Sequence, residues 1–413
     1  MEYKTSLERI RRDLESLAQF NATPGEGLTR LSYTAEHAQA AEYIRSAMEA
    51  AGLSVRTDAA GNIIGRLEGS EPELPSVMIG SHFDSVRHGG SFDGQIGVVA
   101  ALETARVMRD EGFVPRRSVE FAAIIDEEGA RFGGGLTGSR AMTGSVTRER
   151  LEQSVDDDGV SMYEAMRRFG LDPDRIGEAA RRPGEIECFL ELHIEQGPVL
   201  ESRGVRAGIV TGIVGLKSLE VTVNGRPDHA GTTPMDMRAD AMLAAAKLII
   251  RLNERAVAMG RGTVATVGKL TLLPGSGNIV PGQVRFGVDI RSGEMECVDG
   301  LERALREDVA ALGDECPGVS GDVRLTLSMD PVKLDGGLRE VLTAKADELG
   351  LTHMDIPSGA GHDSMVLAGI TRVGMLFVPS RGGRSHCPEE WTDYEQVRDG
   401  VEVIASAAEE LAK

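Results

Sequence analysis

Cysteine is scarce in this chain: four occur in 413 residues (Cys188, Cys297, Cys316 and Cys387), far apart and with no C-x-x-C pair. Neither a disulfide framework nor a thiolate zinc site is signalled, and the cysteines read as reduced, mostly packing residues. Basic residues are also in deficit. Lys and Arg total 45 against 65 Asp and Glu, and the formal charge of −20 repels nucleic acid and anionic lipid while keeping the protein soluble. An anionic substrate would need a local arginine to hold it. No apolar run reaches the length of a bilayer span, and the amino-terminal stretch MEYKTSLERIRRDLESLAQF is charged with helical apolar spacing, unlike a signal peptide. These features fit a cytoplasmic protein with no membrane or nucleic-acid partner. There is no low-complexity segment and no short-period repeat.

What is present is an alternation of elements long enough for roughly two or three domains. A helix is expected over about 35–52, a strand at SVMIG, a helix from Ile96 to Arg109, and strands at SVEFAAII and ECFLELHI. This order predicts an α/β fold with a mixed, mostly parallel sheet flanked by helices. From about 214 to 329 the order becomes strand, helix 236–258, two strands, helix 296–312 and strand, the ferredoxin-like βαββαβ arrangement. The alternating pattern then resumes, ending in a helix over 393–411. The domains expected are therefore a discontinuous one, 1–213 with 330–413, and an inserted one, 214–329.

Ligand-type side chains gather where the expected strands end. GSHFDSVRHGGSFDG supplies His82, Asp84 and Asp93, IIDEEG supplies Glu127 and Glu128, ELHIEQG supplies His193, and GGRSHCP supplies His386. Sites of open α/β sheets form beyond the carboxyl ends of strands. Imidazole and carboxylate without thiolate suit zinc, manganese, cobalt or nickel in a catalytic site, and a bridging carboxylate such as Asp93 allows two ions. Neighbouring strand residues face opposite sides, so Glu127 and Glu128 could both face one site only through a bend, expected at Gly129. Spacing alone does not divide their roles. His88, His37 and His353 read as loop, helix and turn residues.

The pieces GSHFDSV, GGSFDG, DEEGARFG, LELHIEQGPVLE, PDHAGTTPMDMR, GSGNIVPGQVRFGVDIR, SGAGHDSM and FVPSRGGRSHCPEEWT resemble the dinuclear-metal amidohydrolases. That metallopeptidase-like group includes N-carbamoyl-L-amino acid hydrolases, β-ureidopropionases and allantoate amidohydrolases. The resemblance runs in order over essentially the whole chain. It implies two divalent ions, one held by His82, Asp93 and His193 and the other by Asp93, Glu128 and His386. Asp84 would orient His82, and Glu127 would be the general base toward an attacking water. It further implies substrate contacts from Gln196, His229, Asn278, Arg291, Gly359 and Ala360, with His229 polarising the scissile carbonyl and Arg291 gripping a carboxylate. The inserted domain would serve as lid and as homodimer surface.

The activity so implied is hydrolysis of a linear C–N bond in a carbamoyl or ureido compound bearing a carboxylate. A metallo-exopeptidase or N-acyl-amino acid hydrolase with the same core is the alternative, and a metal-dependent binding protein without catalysis is a third reading. Asp126 stands where the group commonly has Asn, and Arg384 where an apolar residue is frequent. The roles of Arg384 and His362 stay open, as do the native metal, the stereochemical preference, whether His229 acts in its own or a partner subunit's site, and the choice among N-carbamoyl-amino acids, β-ureido acids, allantoate and ureidoglycolate-like compounds.

Overall fold

The computed structural model describes residues 3–413, so the first two residues of the expected 1–213 segment lie outside it. The chain divides into two compact units, one formed by residues up to Thr211 together with Leu334–Lys413, the other by Gly212–Lys333.

In the larger unit one sheet runs, in spatial order, Ser54–Thr57, Ile63–Leu67, Val119–Ile124, Ser76–His82, Ile186–Ile194, Arg372–Val378 and Ala207–Ile213. Its four central strands are parallel and its outer pairings antiparallel. Every residue of Ser76–His82 and of Val119–Ile124 is buried. Both faces are therefore covered, which is why these strands read as unbroken apolar runs rather than as alternating ones. The helix Gln95–Asp110 is buried almost all round, including Glu103 and Arg106. Their charges are tolerated because each is paired, Glu103 with Arg9 and Arg106 with Asp13. Helix Ala35–Ala50 begins where the Thr34 side chain accepts the His37 N–H, and ends two residues short of expectation. The outer strands Ser54–Thr57 and Ile63–Leu67 are too short to have shown a periodicity of their own.

The smaller unit is a four-stranded antiparallel sheet in the order Ser320–Met329, Gly215–Asn224, Gln283–Ser292, Val264–Leu273, with helices Ala241–Met259 and Met295–Ala310. Alternate strand residues such as Leu219, Val221, Val223, Phe286 and Val288 pack with Leu248, Leu252, Leu301 and Leu305 of the helices. The first helix starts at Ala241, not at 236. Asp240 takes the N–H groups of Met242 and Leu243 on its carboxylate, and Met235–Met237 forms a separate 3-10 turn after Pro234. Of the four cysteines, all free, Cys188 and Cys297 are buried.

Registration of the parallel strands sets the positions of two expected ligands. His82 lies opposite Ile124, and His193 opposite Phe377, at the carboxyl end of the sheet.

His37 tests the packing behind this edge. Its ring is buried and stacked on Phe83, with centroids 4.3 Å apart, and neither nitrogen has a hydrogen-bond partner. Burial pushes its pKa down from 6.5 to about 3. Between those values the unfolded chain binds a proton that the folded one refuses, so stability falls as pH drops through that window, by up to about 5 kcal/mol in all. Denaturant unfolding at pH 7 and pH 4 should show this loss in the wild type and a flatter profile in His37→Phe; identical profiles would refute the assignment.

Candidate active site

Four chain segments converge at the carboxyl edge of the larger unit's sheet. His82 ends its strand, and the buried Arg30 guanidinium fixes the turn after it by donating to the Phe83 carbonyl (2.6 Å). Asp93 precedes the helix Gln95–Asp110, separated from it by Gly94 at φ 66°. A side chain there would be strained and would also meet the His82 imidazole, since a Cβ would lie 2.4 Å from ring atoms. Glu127 and Glu128 both reach the site, but the bend that aims them is not confined to Gly129. Asp126 itself is left-handed (φ 56°), held by hydroxyls of Ser32 (2.6 Å) and Thr137 (2.5 Å) on its carboxylate. Burial, with Asp84 nearby, raises the Asp126 pKa to about 7. Asp84 also secures the pair from below: its two oxygens accept the backbone N–H of Glu127 (3.0 Å) and of Glu128 (3.2 Å).

Asp93 is the centre of the arrangement. Its Oδ1 faces His193 Nε2 at 3.1 Å and His82 Nε2 at 3.5 Å, and its Oδ2 faces His386 Nε2 at 3.2 Å. Glu128 Oε1 is 3.3 Å from the same His386 nitrogen, and Glu127 Oε2 is 3.9 Å from His82 Nε2. Possible ligand atoms thus cluster as His82, Asp93 and His193, as Asp93, Glu128 and His386, and as His82, Glu127 and Glu128. A further cluster, Glu191, His193 and His362, reads as scaffold, because Glu191 already accepts the Ser81 and Ser364 hydroxyls (2.7 and 2.5 Å).

The electrostatics fit a cation centre. Burial opposes charge on His82, yet Glu127, Asp84 and Asp93 outweigh it and hold its pKa well above the imidazole range. His193 is likewise raised against burial, by Asp93, and hydrogen bonds to Asp93 and Glu128 push His386 to about 11. Burial pushes Glu127 well above the carboxylate range, helped by Glu128 and opposed by His82. The carboxylates demand positive charge, and protons on the imidazoles meet that demand where no cation does. His193 Nδ1 lies 3.0 Å from the Ile194 carbonyl, which leaves Nε2, buried and without a hydrogen-bond partner, as the nitrogen that could bind a cation.

Other expected residues take these positions. Gln196, left-handed at φ 57°, donates from Nε2 to Asp93 Oδ2 (2.7 Å). Gly359 and Ala360 follow the strand His353–Ser358, with the Ala360 N–H on the Ser358 hydroxyl (3.2 Å). That hydroxyl is 2.7 Å from His362 Nε2, and the His362 ring meets His193 edge-on at 4.5 Å. Arg384 is used within its own loop, pairing with Glu389 at 2.9 Å. In the smaller unit, His229 and Asn278 are brought together: the Asn278 carbonyl accepts the Ala230 N–H (3.0 Å), and His229 is registered opposite Ile279. Arg291, half-buried, donates to Asp289 at 2.7 Å. Sequence reasoning gave no role to Arg30, Ser385 or Glu390. Arg30 and Glu390 reach backbone groups far away in the chain and Ser385 reaches the distant Asp93 carboxylate, and spacing carries no such signal.

An α/β scaffold with imidazole and carboxylate side chains collected at the carboxyl end of its parallel sheet is one that could hold divalent ions. Residues 72–410 match the Peptidase family M20/M25/M40. The N-carbamoyl-L-amino-acid amidohydrolase of Paenarthrobacter aurescens is 51% identical over 401 residues, covering 97% of each chain. That of Geobacillus stearothermophilus is 43% identical over 410 residues, covering 98% of each. The solved structure of a hydantoinase/carbamoylase-family amidase from Burkholderia multivorans gives a TM-score of 0.91 at 33% identity, over 99% of this chain and 98% of that one. The chain belongs to peptidase family M20/M25/M40, in its amidohydrolase group.

Asp84→Asn replaces one of the two acceptor oxygens under Glu127 and Glu128 by an amide that cannot accept. Metal retention and turnover should each fall about 10- to 100-fold while the circular dichroism spectrum is unchanged. Equilibrium dialysis showing wild-type metal retention would contradict this role for Asp84.

Proposed function

We propose that the protein hydrolyses the ureido C–N bond of N-carbamoyl-L-amino acids. Water adds to the carbonyl carbon, the bond to the amino acid nitrogen breaks, and the released carbamate decomposes to carbon dioxide and ammonia. The observation that carries this reading is the division of Asp93 between two ligand groups, Oδ1 toward His82 and His193 and Oδ2 toward His386. In this reading one divalent ion is held by His82, Asp93 and His193, and a second by Asp93, Glu128 and His386, with zinc, manganese, cobalt and nickel all suited to the set. Such ions, when bound, polarise the carbonyl and lower the pKa of water toward about 7.

The chain's own groups do the rest. Glu127, whose pKa burial raises, takes the proton of the attacking water and returns it to the leaving nitrogen. His229 accepts the N–H groups of Gly231 (3.0 Å) and Thr232 (3.2 Å) at Nδ1. Its proton therefore sits on Nε2, the tautomer needed to donate to a carbonyl oxygen gaining negative charge. Arg291 and Asn278 hold the substrate carboxylate, supplying positive charge that the acidic chain otherwise lacks. Gln196, Gly359 and Ala360 complete the substrate contacts, Gln196 toward the ureido or carboxylate end.

We further assign the protein as a cytoplasmic homodimer joined through the smaller unit. Leu243, Ile250 and Val257, 51, 58 and 74% exposed, recur every seven residues along one helix, and the edge strand Val264–Leu273 exposes Val264, Leu270 and Leu273. An apolar stripe beside an open strand edge supports self-association. No helix among the described residues is long and apolar enough to cross a membrane.

Glu127→Gln keeps the shape and removes the base, so kcat should fall about 10²- to 10⁴-fold with metal content intact. The assay is ammonia release from a panel of N-carbamoyl-L-amino acids, set beside cleavage of N-acetyl-amino acids and dipeptides. Activity confined to the acetyl or dipeptide set would replace this reading with the exopeptidase one.

A further inference from the structure

The two ligand groups around Asp93 are built to different standards of rigidity. His82 and His193 end buried strands, and their Nδ1 atoms lie against local carbonyls, Asp84 O at 3.3 Å and Ile194 O at 3.0 Å. His386 has neither support. It sits in a loop with a left-handed backbone (φ 55°) and a half-exposed side chain, and its Nε2 meets Asp93, Glu128 and, at 3.5 Å, Gln196. Without a device to fix that loop, the second group would lose its geometry.

The loop's own residues supply one. Glu390, 4% exposed, accepts the backbone N–H of both Phe92 and Asp93 on Oε1, each at 3.0 Å. Its Oε2 accepts the Ser385 hydroxyl at 2.8 Å, and that same hydroxyl lies 3.0 Å from Asp93 Oδ2. Residue 90 leaves room for the contact, since a Cβ on Gly90 would lie 2.1 Å from Glu390 Oε1. The carboxylate thus ties the main chain of Asp93 to both flanks of His386. Bonds from two consecutive main-chain N–H groups to one oxygen fix orientation as well as distance, and such outer contacts govern how well ligands hold a metal.

We propose that Glu390, with Ser385, is a positioning clamp that sets the affinity of the Asp93, Glu128 and His386 metal position and weighs less on the other, to which Asp93 is the only clamped residue that contributes. This rests on the two-ion reading given above. The clamp touches neither substrate nor ion and acts through the placement of Asp93 and His386.

The test is a competitive titration of the chelator-stripped, full-length protein with Zn²⁺ against a chromophoric chelator. The wild type should resolve two sites, one of which disappears in His386→Ala. In Glu390→Ala that same site should weaken about 10- to 100-fold, and the other, which shares only Asp93 with it, by at least several-fold less. Glu390→Gln, which keeps an oxygen for the two N–H groups, should recover most of the loss, and Ser385→Ala should weaken the same site a few-fold. Unchanged affinities in Glu390→Ala, or equal loss at both sites, would overturn the clamp while leaving the two-ion reading standing. A single site in the wild type would overturn both. Should Glu390→Ala fail to fold, Ser385→Ala decides, and a wild-type profile in that variant counts against the clamp.

Discussion

The arrangement depends on one buried carboxylate, Asp93, surrounded by the imidazoles of His82, His193 and His386. Burial alone would push that carboxyl toward its neutral form, yet the three rings hold its pKa well below the ordinary range. A charge this deep persists only where opposite charge is fixed around it. Much of the larger unit provides that fixture. Parallel strands in register bring His82 and His193 to the same edge, and Gly94 lets the Asp93 turn close against the His82 ring.

The carboxylates around this centre are held by different means. Asp84 grips the backbone of Glu127 and Glu128, and Asp126 bends the chain so that two consecutive residues face one way. Glu127 is left with burial raising its pKa, which fits the proposed role of a group that gains and gives up a proton within one cycle. The clustering of acidic groups in a small buried volume is unfavourable for the empty protein. It becomes favourable once cations share the space, so ion binding and the order of the site are linked.

The sequence was most legible where one residue type repeats at one kind of place. His82, Asp93, Glu128, His193 and His386 stand out because glycine-flanked ligand residues recur at strand ends, and the structure brings them together. The central strands and flanking helices of the larger unit and the order of elements in the smaller one were readable from periodicity, whereas the short outer strands Ser54–Thr57 and Ile63–Leu67 were not. What else escaped was long-range. Asp126 bends through hydroxyls 94 and 11 residues away, and Glu390 reaches backbone N–H groups 297 and 298 residues distant. No local pattern records such partners. The late start of the helix at Ala241 is a smaller case: Asp240 caps it, but the apolar spacing before it reads as continuous. Arg384 stood out as an unusual charge near a ligand, and its pairing with Glu389 accounts for it within the loop.

Elemental analysis of the purified protein beside Asp93→Ala and His386→Ala tests the shared carboxylate most directly. The account predicts two transition-metal ions per wild-type chain, one in His386→Ala, and none in Asp93→Ala. An Asp93→Ala protein that keeps two ions, or a wild type fully active with none, would contradict it.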